Sequence, residues 1–339
     1  MPLDPHVGRF LRALSAAGPA AAASPSAIDQ RRAAFRGLLA FAETGARVAR
    51  SDDGVLPGSA GPLRFRLYTP LTGGGGRLPG LVFFHGGGFV AGDLDAYDPL
   101  CRALCSETGC RVIAVDYRLA PEHRFPAAVQ DAYAATVWVA RHAEALGLDP
   151  ERIGIAGDSA GGTLAAAICQ LVGTTREARL ALQLLLCPIL DWAEETPSRR
   201  AFATGCLADR DMMQRDMACY LSPGTPTWHR HVSPLRATGL QGQPPAYIHT
   251  AEFDPLRDEG EAYAERLRAA GVPVRHTRHD GMVHLFYGLG AVVPYARHAL
   301  ARIGGEIGAA LTATNQMPRG MAMTHATAGE DRHAKAASL

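Results

Sequence analysis

Apolar residues recur along the first fifty positions with the period of a helix. Val7, Phe10, Leu11 and Leu14 stand at i, i+3, i+4 and i+7, and Phe35, Leu38, Leu39 and Ala42 repeat that spacing. Two amphipathic helices are predicted within residues 1–50, the second capped by Ser26. Neither has a partner in its own segment, so both apolar faces must pack on chain further along. The period then changes to two. Leu63, Phe65 and Leu67 alternate with Arg64, Arg66 and Tyr68, as in a strand with one buried face, which suits an antiparallel edge. The four glycines at 73–76 read as an exposed hairpin or loop.

Beyond residue 80 the pattern is of short runs apolar on both faces: Leu81 to Phe84, Val112 to Val115, Ile153 to Ala156, Leu182 to Cys187, Tyr247 to Thr250 and Val274 to Thr277. Such runs are too short for helices and fit parallel strands buried between layers. Helix-like stretches separate them, among them Pro126 to Leu146 and Thr163 to Val172. The alternation predicts an α/β fold with a mostly parallel, doubly wound sheet flanked by helices. Core segments are expected at 51–189 and 241–312. Residues 190–240 interrupt the alternation with a helical stretch near Asp209 to Tyr220 and then Pro223, Pro226 and Pro234. That insertion is expected to fold with helices 1–50 into a cap. The small, polar tail at 313–339 is expected to be disordered.

Composition changes the picture only by exclusion. Charged residues are 20% of the 339, the formal net charge is +1, and Lys335 is the single lysine. No basic surplus argues for nucleic acid or an anionic membrane surface. No apolar run approaches the length of a membrane span. Ala20 to Ala23 faintly suggest a secretion signal, but Arg9 and Arg12 break the apolar stretch and Pro19 closes it. The seven cysteines include no C-x-x-C pair. Buried or half-buried free thiols, Cys101 and Cys105 sharing one helix face, and a reducing, cytoplasmic setting are the expectations, with no metal site.

Two glycine motifs carry chemistry. Gly157-Asp158-Ser159-Ala160-Gly161 matches G-x-S-x-G between a predicted strand and a predicted helix. That is the setting of a nucleophile turn so sharp that only small residues fit two places either side of the serine. About 0.1 chance matches are expected from this composition, so context carries the pentapeptide rather than its letters. His85-Gly86-Gly87-Gly88 follows the strand Leu81 to Phe84 directly. Consecutive glycines there can aim backbone N–H groups at one point, as an oxyanion requires. His85 is expected to brace that loop rather than move protons.

A serine nucleophile needs a base, and the base needs an orienting carboxylate. In a doubly wound hydrolase the order is serine, acid, histidine, each after a strand. Asp254 follows the run Tyr247 to Thr250 and His284 follows Val274 to Thr277. With 13 histidines in the chain, position decides rather than identity. His279 is the rival base and lies too early, at a predicted strand end. Asp258 and Glu252 are rivals to Asp254, while Glu259 and Glu261 read as a solvated helix face.

Five segments together resemble the bacterial hormone-sensitive lipase family of α/β-hydrolases. They are His85 to Gly88, Asp116-Tyr117-Arg118-Leu119-Ala120-Pro121-Glu122, Gly157 to Gly162, Asp254 to Glu259, and Gly281-Met282-Val283-His284. The resemblance spans about 60–310 and implies a capped α/β-hydrolase with Ser159 as nucleophile, Asp254 as acid and His284 as base. It further implies an oxyanion hole from the N–H groups of Gly87, Gly88 and Ala160, no cofactor, short acyl ester substrates, and a homodimer as an option. Leu285 departs from the glycine often found after the histidine in relatives, which narrows the expected pocket. Its wall is expected among Phe10, Phe35, Phe89, Met212, Met213, Leu285 and Phe286, any of which could instead be core. Two other outcomes stay open at this point: a small-molecule receptor on the same scaffold, and a lactonase, amidase or carbamate hydrolase using the same chemistry.

Overall fold

The computed structural model describes residues 2–17, 26–71 and 76–313. Most of the four-glycine run, the Ala20 to Ala23 stretch and the tail after Ala313 lie outside the described residues. Eight strands form one sheet in the order β1-β2-β4-β3-β5-β6-β7-β8. They are β1 Arg50–Gly58, β2 Gly61–Thr69, β3 Leu78–Phe84, β4 Arg111–Val115, β5 Leu148–Asp158, β6 Leu182–Leu186, β7 Ala246–Phe253 and β8 Val274–Val283. The pairs β1/β2 and β2/β4 are antiparallel, and every other pair is parallel.

Alternation within each buried strand sends side chains into two apolar layers. In β3, Leu81 and Phe83 face a layer built with α3 (Asp98–Thr108) and α9 (Pro294–Ala313), while Val82 and Phe84 face α4 (Ala127–Arg141), α5 (Ala160–Thr175) and α8 (Arg257–Ala269). All four are 0 or 1% exposed, which explains why these runs show no polar face.

The chain leaves β3 for β4 on one side and crosses back to β5 on the other. The carboxyl ends of β3 and β5 therefore flank the point where the winding reverses, where an open crevice forms in sheets of this kind. His85 to Gly88 follow β3 and Ser159 follows β5, so topology alone brings the two glycine motifs to opposite lips of that crevice.

Four helices stand outside the alternation: α1 Pro5–Ala17, α2 Ala27–Leu39, α6 Pro197–Ala201 and α7 Arg210–Tyr220. Ser26 caps α2 by accepting from the Asp29 N–H at 3.1 Å, as its sequence predicts. The predicted apolar stripe of α1 is buried at Val7 and Phe10, while Leu14 is exposed. The Asp4 N–H at its start donates to Gly281 O at 3.0 Å, fastening α1 beside the end of β8.

Three expectations need correction. The alternating strand, β2, is not the edge, because β1 pairs along its whole length, from Arg50 opposite Thr69 to Gly58 opposite Gly61. The polar β1 buries only Leu56, so pairing rather than an apolar pattern makes it a strand. Second, β8 runs on to Val283, which places His279 inside the strand rather than at its end. Third, Glu259 is not solvated but fully buried. The chain after β6 folds over the first turn of α8, and the carboxylate accepts from the N–H groups of Leu190 and Asp191 and from Arg199.

The turn after β5 tolerates no side chain where its glycines stand. An ideal Cβ on Gly161 would lie 1.9 Å from Phe84 O, and one on Gly157 would lie 2.1 Å from Gly161 O. Gly161→Ala must push β3 and the turn apart and is expected to cost about 3 kcal/mol or more. Urea unfolding checks this, and an unchanged midpoint would show that the backbones do not approach so closely.

Candidate active site

Ser159 lies between the last residue of β5 and the first of α5, with φ 51° and ψ −117°. Positive φ in a residue with a Cβ is strained by roughly 1–3 kcal/mol and persists only where surrounding structure imposes it. Here the Ser159 N–H donates to Leu186 O at 2.9 Å, and its carbonyl accepts from Thr163 and Ile189 at 3.2 and 3.1 Å. The end of β6, the chain just after it and the serine's own helix thus hold the turn.

Asp254, fully buried, follows β7, and His284 follows β8. The Asp254 Oδ2 lies 2.9 Å from His284 Nδ1, and His284 Nε2 lies 3.1 Å from Ser159 Oγ. The other carboxylate oxygen of Asp254 accepts from the Leu256 N–H at 2.8 Å, which fixes its plane. Burial pulls the imidazole pKa down, but the charge and hydrogen bond of Asp254, with Asp158 and Glu259 behind, outweigh it and leave His284 above 6.5.

The rival residues are engaged elsewhere. His279 lies 3.1 Å from His249 Nδ1 and 3.0 Å from the Tyr295 hydroxyl. Glu252 accepts from the Gly281 N–H, and Asp258 from the Ser198 N–H. None is a hydrogen-bond partner of Ser159 or His284.

Across the crevice, Gly87 and Gly88 have φ of 108° and 65°, a region where glycine is at ease and other residues are not. The N–H groups of Gly87, Gly88 and Ala160 have no hydrogen-bond partner among the described residues. His85 is packed behind them, stacked on Tyr117 at 4.4 Å, with its Nδ1 2.8 Å from Gly86 O. Burial pushes its pKa down to about 4, so it is a neutral brace.

The motif residue Asp158 has a function that spacing does not reveal. Completely buried, it accepts from the Gly86 N–H at 2.8 Å, the Tyr97 hydroxyl at 2.8 Å and the Tyr287 hydroxyl at 3.3 Å. One carboxylate thereby joins the serine turn, the glycine loop, the residue that leads into α3 and the loop carrying His284. Burial pushes its pKa up to about 6 against the pull of those donors. Its position inside the pentapeptide was the available signal; isolated tyrosines such as Tyr97 and Tyr287 offer none.

Cys187, also unforeseen in the site, sits beside the acid with φ 42° and is buried. Among the described residues, Cys187, Asp254 and His284 are the one group of three whose ligand-type atoms gather within 4.8 Å. The acid and histidine there already share a hydrogen bond. Burial and the Asp254 charge push the Cys187 thiol well up, which keeps it protonated. All seven cysteines are free, five of them buried.

The expected pocket residues divide. Phe35 reaches the glycine loop, its Cε1 being 3.0 Å from where a Gly87 Cβ would stand. Met213 lines a cleft of about 520 Å³ with Trp192, Arg199, Met217 and Pro255, the residue after Asp254. Met212, on α7, is half-buried. Phe10 packs edge-on to Phe41, Phe89 stacks on Tyr220 at 3.9 Å, and Phe286 packs on His279. Leu285, buried at φ 59°, turns the chain after the histidine.

Residues 81–288 match a family model described as the alpha/beta hydrolase fold. The chain is similar to "Esterase LipI" of Mycobacterium tuberculosis, 42% identical over 254 residues, which cover 74% of this chain and 79% of the relative. It is similar to "Ethyl acetate hydrolase" of Pseudomonas putida, 36% identical, covering 71% of this chain and 76% of that one. Among solved structures, the esterase of Pyrobaculum calidifontis superposes with a TM-score of 0.84 at 36% identity, covering 91% and 99% of the two chains. With the sheet order, the strained serine and these relatives in agreement, the chain belongs to the α/β-hydrolase family, in its hormone-sensitive-lipase-like group.

Proposed function

We propose that this protein is a carboxylesterase that hydrolyses small esters of short to medium acyl chains through an acyl-enzyme intermediate. One observation carries the reading: a continuous Asp254–His284–Ser159 relay at 2.9 and 3.1 Å, facing three backbone N–H groups with no partner of their own among the described residues. Ser159 Oγ attacks the ester carbonyl as His284 Nε2 takes its proton, and Asp254 holds the imidazole in the accepting tautomer. Gly87, Gly88 and Ala160 receive the oxyanion. His284 then protonates the departing alcohol, and water, activated by the same base, releases the acid.

The presence of the base in register with the serine supports turnover over a receptor role. Helices α1 and α2 and the 190–240 insertion serve as the cap over the crevice. No described helix is long and apolar enough to cross a membrane. The relative named for ethyl acetate supports the short-acyl end. The buried free thiols support a reducing, cytoplasmic setting.

Ser159→Ala is expected to lower kcat on p-nitrophenyl butyrate by about 10⁴-fold or more with the fold retained by circular dichroism; undiminished turnover would remove Ser159 from the mechanism. Across p-nitrophenyl esters from acetate to palmitate, the maximum is expected at butyrate or hexanoate, and a maximum at decanoate or longer would contradict the small-ester assignment. The pH profile follows from the base. Because His284 must be neutral and its pKa is raised, kcat/KM is expected to rise with pH through one ionisation above 6.5. Asp254→Asn removes the charge that favours the imidazolium, so any residual activity should show that inflection at lower pH. An unmoved inflection would assign the ionisation to another group.

A further inference from the structure

The oxyanion loop has an acidic group packed against Gly88 that the reaction as proposed does not use. Asp216, on α7, is 5% exposed, and an ideal Cβ on Gly88 would lie 2.2 Å from its Oδ2 and 2.9 Å from its Cγ. Nothing separates the carboxylate from the loop. Arg31, on α2, answers it with a forked contact: Nε lies 3.2 and 3.1 Å from the two oxygens, and Nη2 lies 2.8 Å from Oδ2. The guanidinium also covers the Phe35 ring at 5.2 Å, and Phe35 abuts Gly87. Two further arginines hold α2 in place: Arg32 donates to Val90 O at 2.8 Å and pairs with Glu122, and Arg36 pairs with Asp93.

A bare carboxylate against the donors that receive an oxyanion would oppose the charge they must hold, since a water-poor site screens little. We propose that Arg31 is a charge-compensating residue for the oxyanion hole. Asp216 supports Gly88 sterically, and Arg31 cancels its field, so the loop gains a rigid backing without an electrostatic penalty. Arg215, next in the chain, is the other cation acting on Asp216, and it leaves the fork to Arg31. The proposal rests on the oxyanion reading of Gly87 and Gly88 and adds to it that a cap helix sets the potential there.

Sign distinguishes this from a mere strut. A structural ion pair suffers alike when either partner is neutralised, whereas compensation predicts asymmetry. With p-nitrophenyl butyrate at about pH 8.5, where a free carboxylate is ionised, Arg31→Gln is expected to lower kcat about 30-fold with KM within about threefold. The isosteric Asp216→Asn should keep kcat within about threefold, and the double variant should recover to about the level of Asp216→Asn. Affinity for a trifluoromethyl ketone, which forms an oxyanion on Ser159, should fall with kcat in Arg31→Gln alone. Equal losses in both single variants, or a loss beyond about tenfold in folded Asp216→Asn, would overturn the proposal. Should Arg31→Gln not fold, Asp216→Asn and Arg31→Lys still decide, both being expected to stay near wild-type kcat. Ser159→Ala separates the two levels. If it is inactive and the asymmetry is missing, only the compensation fails; if it is active, the site assignment fails.

Discussion

The backbone of Ser159, held at φ 51° and ψ −117°, is the constraint on which the rest of the site depends. No local preference favours that conformation, so neighbouring structure must impose it. The imposition is visible atom by atom: a hydrogen bond to Leu186 in β6, two accepted by its own carbonyl, and glycines at 157 and 161 where backbones pass too closely for any Cβ. The core of the α/β sandwich supplies the stability that this turn consumes. In return the hydroxyl stands at the carboxyl edge of the sheet, where the loops after β3, β7 and β8 also end.

Once those loops meet, electrostatics decides their roles. Several ionisable groups lie buried within the same region, and they are tuned differently. His85 is held neutral by desolvation, Asp158 is pushed up to about 6 while three donors hold it, and His284 is kept basic by Asp254. Burial pushes the Asp216 carboxyl up, and the Arg31 guanidinium beside it pulls the other way. Asp158 joins the serine turn to the loops after β3 and β8, so the distance between the Ser159 hydroxyl and the Gly87 and Gly88 N–H groups is set by side-chain hydrogen bonds as well as by strand register. That is a division of labour between scaffold and site: topology brings the groups near, and a buried carboxylate fixes the last ångström.

Much of this was legible in the sequence, and the reasons differ by element. Buried parallel strands announce themselves because both faces are apolar, and the order serine, acid, histidine follows from the winding of the sheet. The elbow glycines are legible because only glycine fits where they stand. The polar strand β1 was not legible, since its conformation comes from pairing with β2 rather than from its own alternation. Glu259 misled because a carboxylate in the first turn of a helix is normally solvated; here the insertion folds over it, a long-range event invisible in local spacing. For the same reason Asp216 and Arg31, 185 positions apart, carried no mark of their meeting. The pocket was the least legible part. Apolar residues near a site and apolar residues of the core share one composition, and Phe10, Phe89 and Phe286 packed inward while Phe35 reached the glycine loop.

The most direct test of the central claim is covalent capture of the nucleophile. Incubation with an alkyl p-nitrophenyl phosphonate, followed by peptide mass spectrometry, is expected to place a single adduct on Ser159, in step with loss of activity, and no adduct at a comparable rate in His284→Ala. Complete inactivation with the label on another residue, or rapid labelling of Ser159 undiminished by loss of the imidazole, would contradict the account.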